Sequence, residues 1–357
     1  MLYDRGHRDN PGDDKDEGLG KVAQMIKPTA GRRPSEDELI ARYFAPLAGE
    51  GGLGLKDDAA LLMPKPGHDL VLTVDAVVAG VHFFADDDPG SIARKALGVN
   101  VSDLAAKGAS PAGFLLTLTL PEGWTEAWLA AFSEGLGEAA RGFACPLLGG
   151  DTVRGPATAV SITAVGEVPA GRMVRRTGAQ PGDRLCVSGT IGDAALGLAL
   201  RREPAAGWAA ALASDGRAFL IDRYLHPQPR TRLAGVLLEH ASAAMDVSDG
   251  LAGDLAKMMR ASGAAAVVEA AEVPLSPDVR SALAAEPTLM ERVLTGGDDY
   301  EILASVPPER LDAFLAGARR VGVATTPIGT VTEGQGPPLF RHGPTERRYG
   351  RGSYSHF

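Results

Sequence analysis

The sequence contains few cysteines and no long hydrophobic run, which argues against a secreted or membrane-spanning protein. Its 357 residues include two cysteines, Cys145 and Cys186, which are far apart and lie in apolar stretches. This usage predicts two buried thiols in a reducing compartment. No stretch approaches the roughly 18 apolar residues of a transmembrane helix, and the N-terminus lacks the hydrophobic core of a signal peptide. We therefore expect a cytoplasmic protein without membrane partners.

The sequence also lacks a basic surplus and the common nucleotide-binding and catalytic motifs. A formal net charge of -9 argues against a nucleic-acid partner, which would need a basic face. There is no G-x-x-x-x-G-K-[ST] loop, no kinase D-F-G, no H-E-x-x-H and no cysteine pair with zinc spacing. Residues 49–54 match G-x-G-x-x-G, but they follow a predicted helix instead of a strand, so they do not indicate a dinucleotide site.

The chain alternates between predicted strands and helices in both of its halves. A length of 357 residues favours two domains over one. Residues 1–34 are polar and rich in Gly and Pro, which predicts a disordered extension, and residues 35–167 and 168–357 are predicted to form two α/β domains. The predicted strands are 59–63, 70–75, 113–120, 157–167, 184–188, 244–247, 265–269, 300–306 and 327–332. The predicted helices are 91–108, 124–142, 193–202, 229–243, 250–261 and 308–320.

Aspartates end apolar runs at five places along the chain. They are Asp57 with Asp58, Asp75, Asp151, Asp246 with Asp249, and Asp298 with Asp299. An apolar run that ends in a carboxylate is typical of a buried strand that delivers an acid to a cleft. Acids that meet in one cleft repel each other unless a cation lies between them. Because Mg²⁺ favours carboxylates together with phosphate oxygens, these aspartates indicate a magnesium-nucleotide site. Phosphoryl transfer suits such a site, since that chemistry depends on positioning and charge neutralisation.

Two of these aspartate segments have a functional and a structural interpretation. At Gly149-Gly150-Asp151-Thr152 the glycines would let backbone N–H groups approach a phosphate while Asp151 holds a metal, or the segment is a plain turn. In Asp246-Val247-Ser248-Asp249 the acids and the hydroxyl could converge on a cation or phosphate at a helix N-terminus, or they only cap that helix. Both interpretations stay open from the residues alone.

Other polar residues are equally ambiguous. Asn100, Asp103 and Lys107 share one face of an apolar helix and form either a solvated stripe or a buried, metal-directed face. His82, between apolar residues, is more often a satisfied structural group than a ligand. Arg176, next to Arg175, could clamp a phosphate, but ordinary surface charge is the simpler interpretation.

Seven short segments occur in an order and at intervals that are specific to one protein family. They are LIARYF (39–44), DDAALL (57–62), VAGVHF (78–83), VNVSDLAA (99–106), GGDT (149–152) with RGP (154–156), DVSDGL (246–251) and GGDDYE (296–301). From about residue 36 onward the chain thereby resembles thiamine-monophosphate kinase, a family that shares the fold of aminoimidazole-ribonucleotide synthetase. The resemblance implies a fold of the α/β class, α+β type, with two domains of mixed sheets and flanking helices. It also implies ATP- and magnesium-dependent phosphorylation of thiamine monophosphate to thiamine diphosphate, by direct in-line transfer.

The resemblance assigns roles residue by residue, and it includes no covalent nucleophile. The implied ligands of several Mg²⁺ ions are Asp58, Thr73, Val74 through its carbonyl, Asp75, Asp103, Asp151, Asp246 and Asp249. The implied ATP contacts are Gly150, Asp151, Arg176 and Ser248, and the implied substrate contacts are His82, Asp298 and Tyr349. Asp75, Asp151 and Asp246 are expected to be the most critical. The family often has Glu where this chain has Asp298, and its C-terminal aromatic aligns only loosely with Tyr349.

The family fold implies a homodimer through the sheet of the first domain. Another ATP-using member of the superfamily is the alternative enzyme. Selenophosphate synthetase, however, needs a reactive Cys near its N-terminus, and this chain has none before Cys145. A hydrogenase-maturation relative would need a C-terminal cysteine, and this chain ends Tyr354-Ser355-His356-Phe357. A magnesium-nucleotide-binding regulator without turnover is the alternative outside enzymes.

Overall fold

Two mixed sheets, each packed against helices, make up the part of the chain that the computed structural model describes, residues 34–349. The predicted disorder of residues 1–34 falls, apart from Pro34, outside that range. The strands are β1 His68–Val78, β2 Ser110–Leu120, β3 Leu147–Arg154, β4 Ala159–Pro169, β5 Arg184–Ser188, β6 Ala243–Val247, β7 Ala265–Glu269, β8 Glu301–Val306, β9 Thr325–Thr332, β10 Leu339–His342 and β11 Thr345–Arg347. The helices are α1 Glu36–Leu39, α2 Pro89–Ala106, α3 Glu126–Gly142, α4 Asp193–Arg202, α5 Ser214–Leu225, α6 Ala234–His240, α7 Leu251–Ser262, α8 Pro277–Ala285, α9 Leu289–Thr295 and α10 Leu311–Arg320. The shorter turns are a π-helical one, Ile40–Phe44, and 3₁₀ turns at Ala45–Leu47, Glu50–Leu55, Gly207–Ala211, Thr231–Leu233, Ala270–Glu272 and Pro308–Arg310.

The first sheet has the strand order β1-β4-β2-β3, with β2 and β3 parallel and the other pairs antiparallel. Helices α2 and α3 cover one of its faces, and Leu97, Leu118 and Phe132 are fully buried in the core between them. Each helix has a recognisable start: the Asp88 carboxylate accepts from Ser91 N ahead of α2, and the Thr125 hydroxyl accepts from Trp128 N ahead of α3. This face is the inner face of the sheet.

The outer face of the same sheet is exposed and carries several large apolar side chains. Leu72 and Val74 of β1 are 64% and 60% exposed, and Leu115 and Val153 lie on β2 and β3 in the same exposed layer. Strand residues alternate between the two faces, so the buried Val71 and Val77 point to the helices while Leu72 and Val74 point away from them. Large exposed apolar patches are typical of surfaces at which proteins associate.

The second sheet has the strand order β11-β10-β7-β9-β5-β8-β6. One core lies on each of its sides. The larger core includes Val187, Met245 and Leu303, and the smaller one includes Ile302 and Phe314 together with Ala105 and Ala106 from the end of α2. Helix α2 therefore packs on both sheets, and this places its polar side chains between the two halves of the chain. The predicted division at residues 167/168 falls within the last residues of β4, which ends at Pro169, and it stays a prediction.

Several sequence-based predictions differ from the structure. The predicted strand at 59–63 is wrong: these residues form no strand, and Leu61 is 60% exposed. The apolar side chains of this segment are not buried. A backbone hydrogen bond from Leu61 N to Gly51 O joins the segment to the 3₁₀ turn Glu50–Leu55. Conversely, Gly149 to Thr152 lie inside strand β3 and not in a turn. A Cβ at Gly150 would lie 1.9 Å from Leu116 O, so glycine permits the close approach of β3 to β2.

Burial confirms the expectation for the two thiols. Cys145 and Cys186 are both free and buried, and burial raises the pKa of each thiol to about 12. Among residues 34–349, no helix has the length and apolar character needed to cross a bilayer.

Candidate active site

Strand β1 and helix α2 supply the carboxylates of the first half. Thr73 Oγ1 donates to Asp103 Oδ2 at 2.5 Å, and Asp75 N donates to Asn100 Oδ1 at 2.9 Å. The second amide atom of Asn100, Nδ2, donates to Ala96 O within the helix. The face that carries Asn100 and Asp103 therefore packs against β1 and is not a solvated stripe.

Strand β6 of the second half contacts the same polar face of α2. Ser102 Oγ of α2 donates to Asp246 Oδ2 at 2.8 Å, and Lys107 Nζ donates to Ala244 O at 2.7 Å. Burial, reinforced by the negative charge of Asp103, raises the pKa of Asp246 to about 8. The two sequence-distant carboxylates Asp103 and Asp246 thus meet across the boundary between the halves.

Asp249 follows at the loop that leads into α7. Lys257 forms ion pairs with both Asp249 and Asp254, the latter at 2.8 Å, and Asp249 N donates to Asp254 Oδ2 at 2.8 Å. Asp254 is fully buried, so this loop is fixed from inside the second half. Neither Ser248 nor Asp249 forms a side-chain cap on α7, whose N-cap is Gly250, so simple capping does not explain them.

A cleft of about 970 Å³ lies between the two halves and collects these groups. Five of the predicted site residues line it: Asp75, His82, Ser248, Asp249 and Asp298. Desolvation by the walls, together with the negative charges of Asp103 and Asp249, raises the pKa of Asp75 to about 6. Arg202 and Arg292 also line the cleft, from α4 and α9. The cleft therefore contains both mutually repelling carboxylates and cationic side chains.

His82 and Asp298 lie in this cleft on segments that the fold holds firmly. Val78 N donates to His82 Nδ1 at 3.1 Å, so the neutral imidazole carries its hydrogen on Nε2. Asp298 has a left-handed backbone, with φ of 73°, and its N–H donates to Ser248 O at 2.8 Å. Its carboxylate forms an ion pair with Lys95, with Oδ2 at 3.2 Å from Nζ.

A second cleft, of about 660 Å³, contains three more of the predicted nucleotide and metal residues of the first half. Asp58, Gly150 and Asp151 line it, with Leu115, Thr117 and Thr163. Asp151 pairs in register with Thr117 on the outer face of the first sheet. Asp75 pairs with the buried Ile162 and lies on the inner face. Within one chain, Asp58 and Asp151 therefore line a different cleft from Asp75.

The oxygen donors of the main cleft fit magnesium that is shared with phosphate groups. Among the described residues, no group of three or more His, Cys, Asp or Glu side chains converges closely enough to hold a metal ion. Mg²⁺ usually keeps waters and binds through one or two carboxylates plus substrate phosphates. Burial, and after it the negative charges of neighbouring aspartates, raises the pKa of Asp75 and of Asp246, and a bound cation would favour the charged form of both carboxylates.

Comparison with known proteins identifies the family. Residues 56–168 match the N-terminal domain and residues 180–340 the C-terminal domain of the AIR synthase related proteins. The thiamine-monophosphate kinase of Caulobacter vibrioides is 43% identical over 317 residues, which cover 87% of this chain and 88% of the relative. The crystal structure of thiamine-monophosphate kinase from Stenotrophomonas maltophilia K279a is 40% identical, with a TM-score of 0.74 over 80% of this chain and 89% of that one.

The chain belongs to the thiamine-monophosphate kinase family.

A further solved relative, AaThiL complexed with AMPPCP and TMP, is 30% identical with a TM-score of 0.73, over 84% of this chain and 91% of that one. The resemblance read from the seven segments, the fold class and the assignment to an enzyme family are thereby confirmed. The roles assigned to individual residues stay predictions, and the structure adds where each of them lies.

Arg176 and Tyr349, which the resemblance to the kinase family also assigns to the site, line neither cleft. Arg176 is exposed in the loop after β4. Burial lowers the pKa of Lys107, and the nearby charge of Arg176 acts in the same direction. Tyr349, the last described residue, packs edge-on against Phe340, and its hydroxyl lies 3.0 Å from His342 Nε2. Burial raises the pKa of Tyr349, and the charge of Glu291 on α9, a helix that borders the main cleft, acts in the same direction.

The sequence analysis missed three residues that contact the predicted kinase site residues. Lys95 and Tyr224 bind the carbonyl of His82, Lys95 also binds Asp298, and Lys257 pairs with Asp249. Lys95 was detectable, because it is a charged residue among Ala, Ile, Leu and Val of α2, and it shares a helix face with Val99 and Ser102. Tyr224 had no such signal, since α5 itself was not predicted. Lys257 lies three residues after Asp254 on α7, a spacing typical of an ion pair.

Proposed function

We propose that this chain transfers the γ-phosphoryl group of ATP to the phosphate of thiamine monophosphate in the cytoplasm, with Mg²⁺ as the essential cation. The observation that carries the proposal is the main cleft, in which carboxylates from both halves face His82 and Asp298. The family membership supports the reaction, and the oxygen donors support the cation.

The chain's own residues would bind and orient the two phosphates. His82 would offer Nε2–H to the acceptor, because its Nδ1 is occupied by Val78 N. Asp298 would accept a hydrogen bond from an amino group of the acceptor. Arg176 and Ser248 would contact ATP, as the family pattern implies. Magnesium, when bound by Asp75, Asp103, Asp246 and Asp249, would neutralise the phosphate charge and so permit the approach of two anions.

No described side chain needs to act as a covalent nucleophile in this proposal. Both thiols are buried, and the high pKa of each keeps it protonated. Direct in-line transfer between the two substrates therefore remains the mechanism that we propose, with catalysis by positioning and charge neutralisation.

We propose further that the active unit is a homodimer formed by the outer face of the first sheet. Strands β1 and β3 are the two edges of that sheet. When two copies pack face to face about a twofold axis along the strands, the β1 edge of one protomer lies over the β3 edge of its partner. In this arrangement Asp58, Gly150 and Asp151 of one copy would complete the cleft that contains Asp75 of the other.

The test is an assay with purified full-length protein, ATP, Mg²⁺ and thiamine monophosphate. Thiamine diphosphate and ADP should form in equal amounts, and no product should form after chelation of the metal. Asp312→Asn, an exposed acid on α10, is the matched control for charge loss and should keep full activity, whereas Asp75→Asn should abolish turnover. Folded wild-type protein that binds Mg-ATP but forms no thiamine diphosphate would refute the kinase proposal and favour a binding regulator.

A further inference from the structure

Lys95 is a fully buried lysine in the middle of α2. Only 2% of its side chain is exposed, and its ammonium lies 3.1 Å from His82 O and 3.2 Å from Asp298 Oδ2. It also lies 3.8 Å from the centroid of the Tyr224 ring, over the aromatic face. Burying a charge is costly unless it is paired and hydrogen-bonded. All three of these partners lie at the main cleft or directly behind it.

Tyr224 shares one of these partners. Its hydroxyl donates to His82 O at 3.1 Å, so the carbonyl of His82 accepts from both Lys95 and Tyr224. The segment after His82 is fastened to the second half as well. Arg201 of α4 pairs with Asp87 at 2.6 Å, and its guanidinium lies 4.5 Å from the centroid of the Phe84 ring. The segment that carries His82 is therefore held by α4 and α5, elements of the other half.

Asp298 is held in an unfavourable backbone conformation. A left-handed φ at a residue other than glycine is strained, and it persists where the surrounding contacts fix the backbone. Here Asp298 N donates to Ser248 O, and a Cβ at Gly297 would lie 2.4 Å from that same oxygen. The backbone is thus fixed by the Ser248 loop. Lys95 then directs the carboxylate by engaging Oδ2, which leaves Oδ1 for a donor in the cleft.

We propose that Lys95, assisted by Tyr224, is the positioning residue for the phosphate acceptor. It ties the His82 segment of the first half to the Asp298 carboxylate of the second half, and so sets the separation of the two groups that would contact the acceptor. This inference rests on the proposed kinase function. Lys95 acts through His82 and Asp298, so its loss should weaken acceptor binding and leave ATP binding largely intact.

The test compares Lys95→Met with the wild type in steady-state kinetics. Met keeps the length and packing of the side chain and removes the charge. Loss of a charge-assisted hydrogen bond predicts a rise of about tenfold or more in KM for thiamine monophosphate, while KM for ATP stays near the wild-type value. Arg42→Met, which breaks an exposed ion pair with Glu126 away from the main cleft, is the control and should change neither constant.

Two further variants keep the inference falsifiable if Lys95→Met folds poorly. Tyr224→Phe removes only the hydroxyl on His82 O and should raise KM for the acceptor by about two- to fivefold. In a double-mutant cycle, Lys95→Met should add little to the effect of Asp298→Asn, because the lysine acts through that carboxylate. Unchanged acceptor KM in both single variants, or fully additive effects in the cycle, would overturn the inference while the wild type still makes thiamine diphosphate. A wild type without turnover would overturn the proposed function itself, and the inference with it.

Discussion

Asp75 and Asp151 lie on opposite faces of the first sheet. Asp75 pairs in register with Ile162, which is fully buried against the helices, whereas Asp151 pairs with Thr117 on the outer face. The resemblance to the kinase family assigns magnesium to both aspartates. A sheet separates them within one chain, so a site that uses both requires a second copy.

Complementation between two inactive variants tests this shared site. Asp75→Asn and Asp151→Asn should each be inactive alone. In a mixed dimer, both substitutions fall in one site and the other site is intact, so co-expressed, differently tagged chains should recover about a quarter of wild-type activity at random pairing. Purified mixed dimers without activity would show that both aspartates serve the site of their own chain.

The outer face of the first sheet should form the dimer. Leu72 is 64% exposed in the centre of edge strand β1, and a carboxylate there would be desolvated in any interface. Leu72→Asp should therefore convert a dimeric wild type to a monomer in analytical ultracentrifugation. Phe219→Asp, which changes an exposed aromatic residue on α5, is the matched control and should leave the mass unchanged. A dimer that survives Leu72→Asp would place the interface elsewhere.

The sequence predicted individual helices and strands better than the contacts between them. Helix α2 was predicted closely, because Pro89 and the run of Ala, Leu and Val after it have strong helical signals. Strand β3 was missed, since glycines at 149 and 150 are typical of a turn and only the neighbouring Leu116 carbonyl explains them. Helix α8 was also missed, although Ser276 before Pro277 is a good helix start.

The carboxylates of the site were predicted, but the groups that hold them were not. An aspartate at the end of an apolar run is visible locally, as at Asp246. The buried contacts of Lys95 with Asp298 and of Ser102 with Asp246 join residues more than a hundred positions apart, and no local pattern encodes such pairs. The separation of Asp75 from Asp151 likewise depends on strand register, which the residues alone do not specify.

The stability of the metal-free protein should fall as the pH rises from 5 to 8. The pKa of Asp246 is about 8 in the folded protein, against an ordinary value of 3.8. Between these two pH values the folded state keeps a proton on Asp246 that the unfolded state releases. The stability that this proton contributes is complete below the pKa of Asp246 in the unfolded state, and it is lost as the pH rises through the pKa of Asp246 in the folded state. Asp246→Asn should flatten the dependence of Tm on pH measured in EDTA, whereas Asp312→Asn should not. An equal slope in wild type and Asp246→Asn would contradict the raised pKa.

Glu301 should be a strong determinant of stability in the second half. Its fully buried carboxylate accepts from Ser188 Oγ at 2.6 Å, Arg223 Nη2 at 2.8 Å and Arg230 Nε at 2.6 Å, which joins β5, β8, α5 and the segment before α6. Glu301→Gln would remove the counter-charge that the buried Arg223 and the partly buried Arg230 share, and would leave Arg223 only the longer ion-pair contact of its Nε with Asp193 Oδ2 at 3.9 Å. We expect a cost of about 3–5 kcal/mol in the free energy of unfolding.

Chemical denaturation checks this cost against a control from the protein surface. Glu346→Gln removes an exposed partner of Arg341 and should cost less than about 1 kcal/mol, because solvent screens that pair. The midpoint for Glu301→Gln should therefore fall well below those of the wild type and of Glu346→Gln. Equal shifts in the two variants would mean that the arginines relax toward solvent when Glu301 is neutralised, and that the buried network contributes little to the stability of this half.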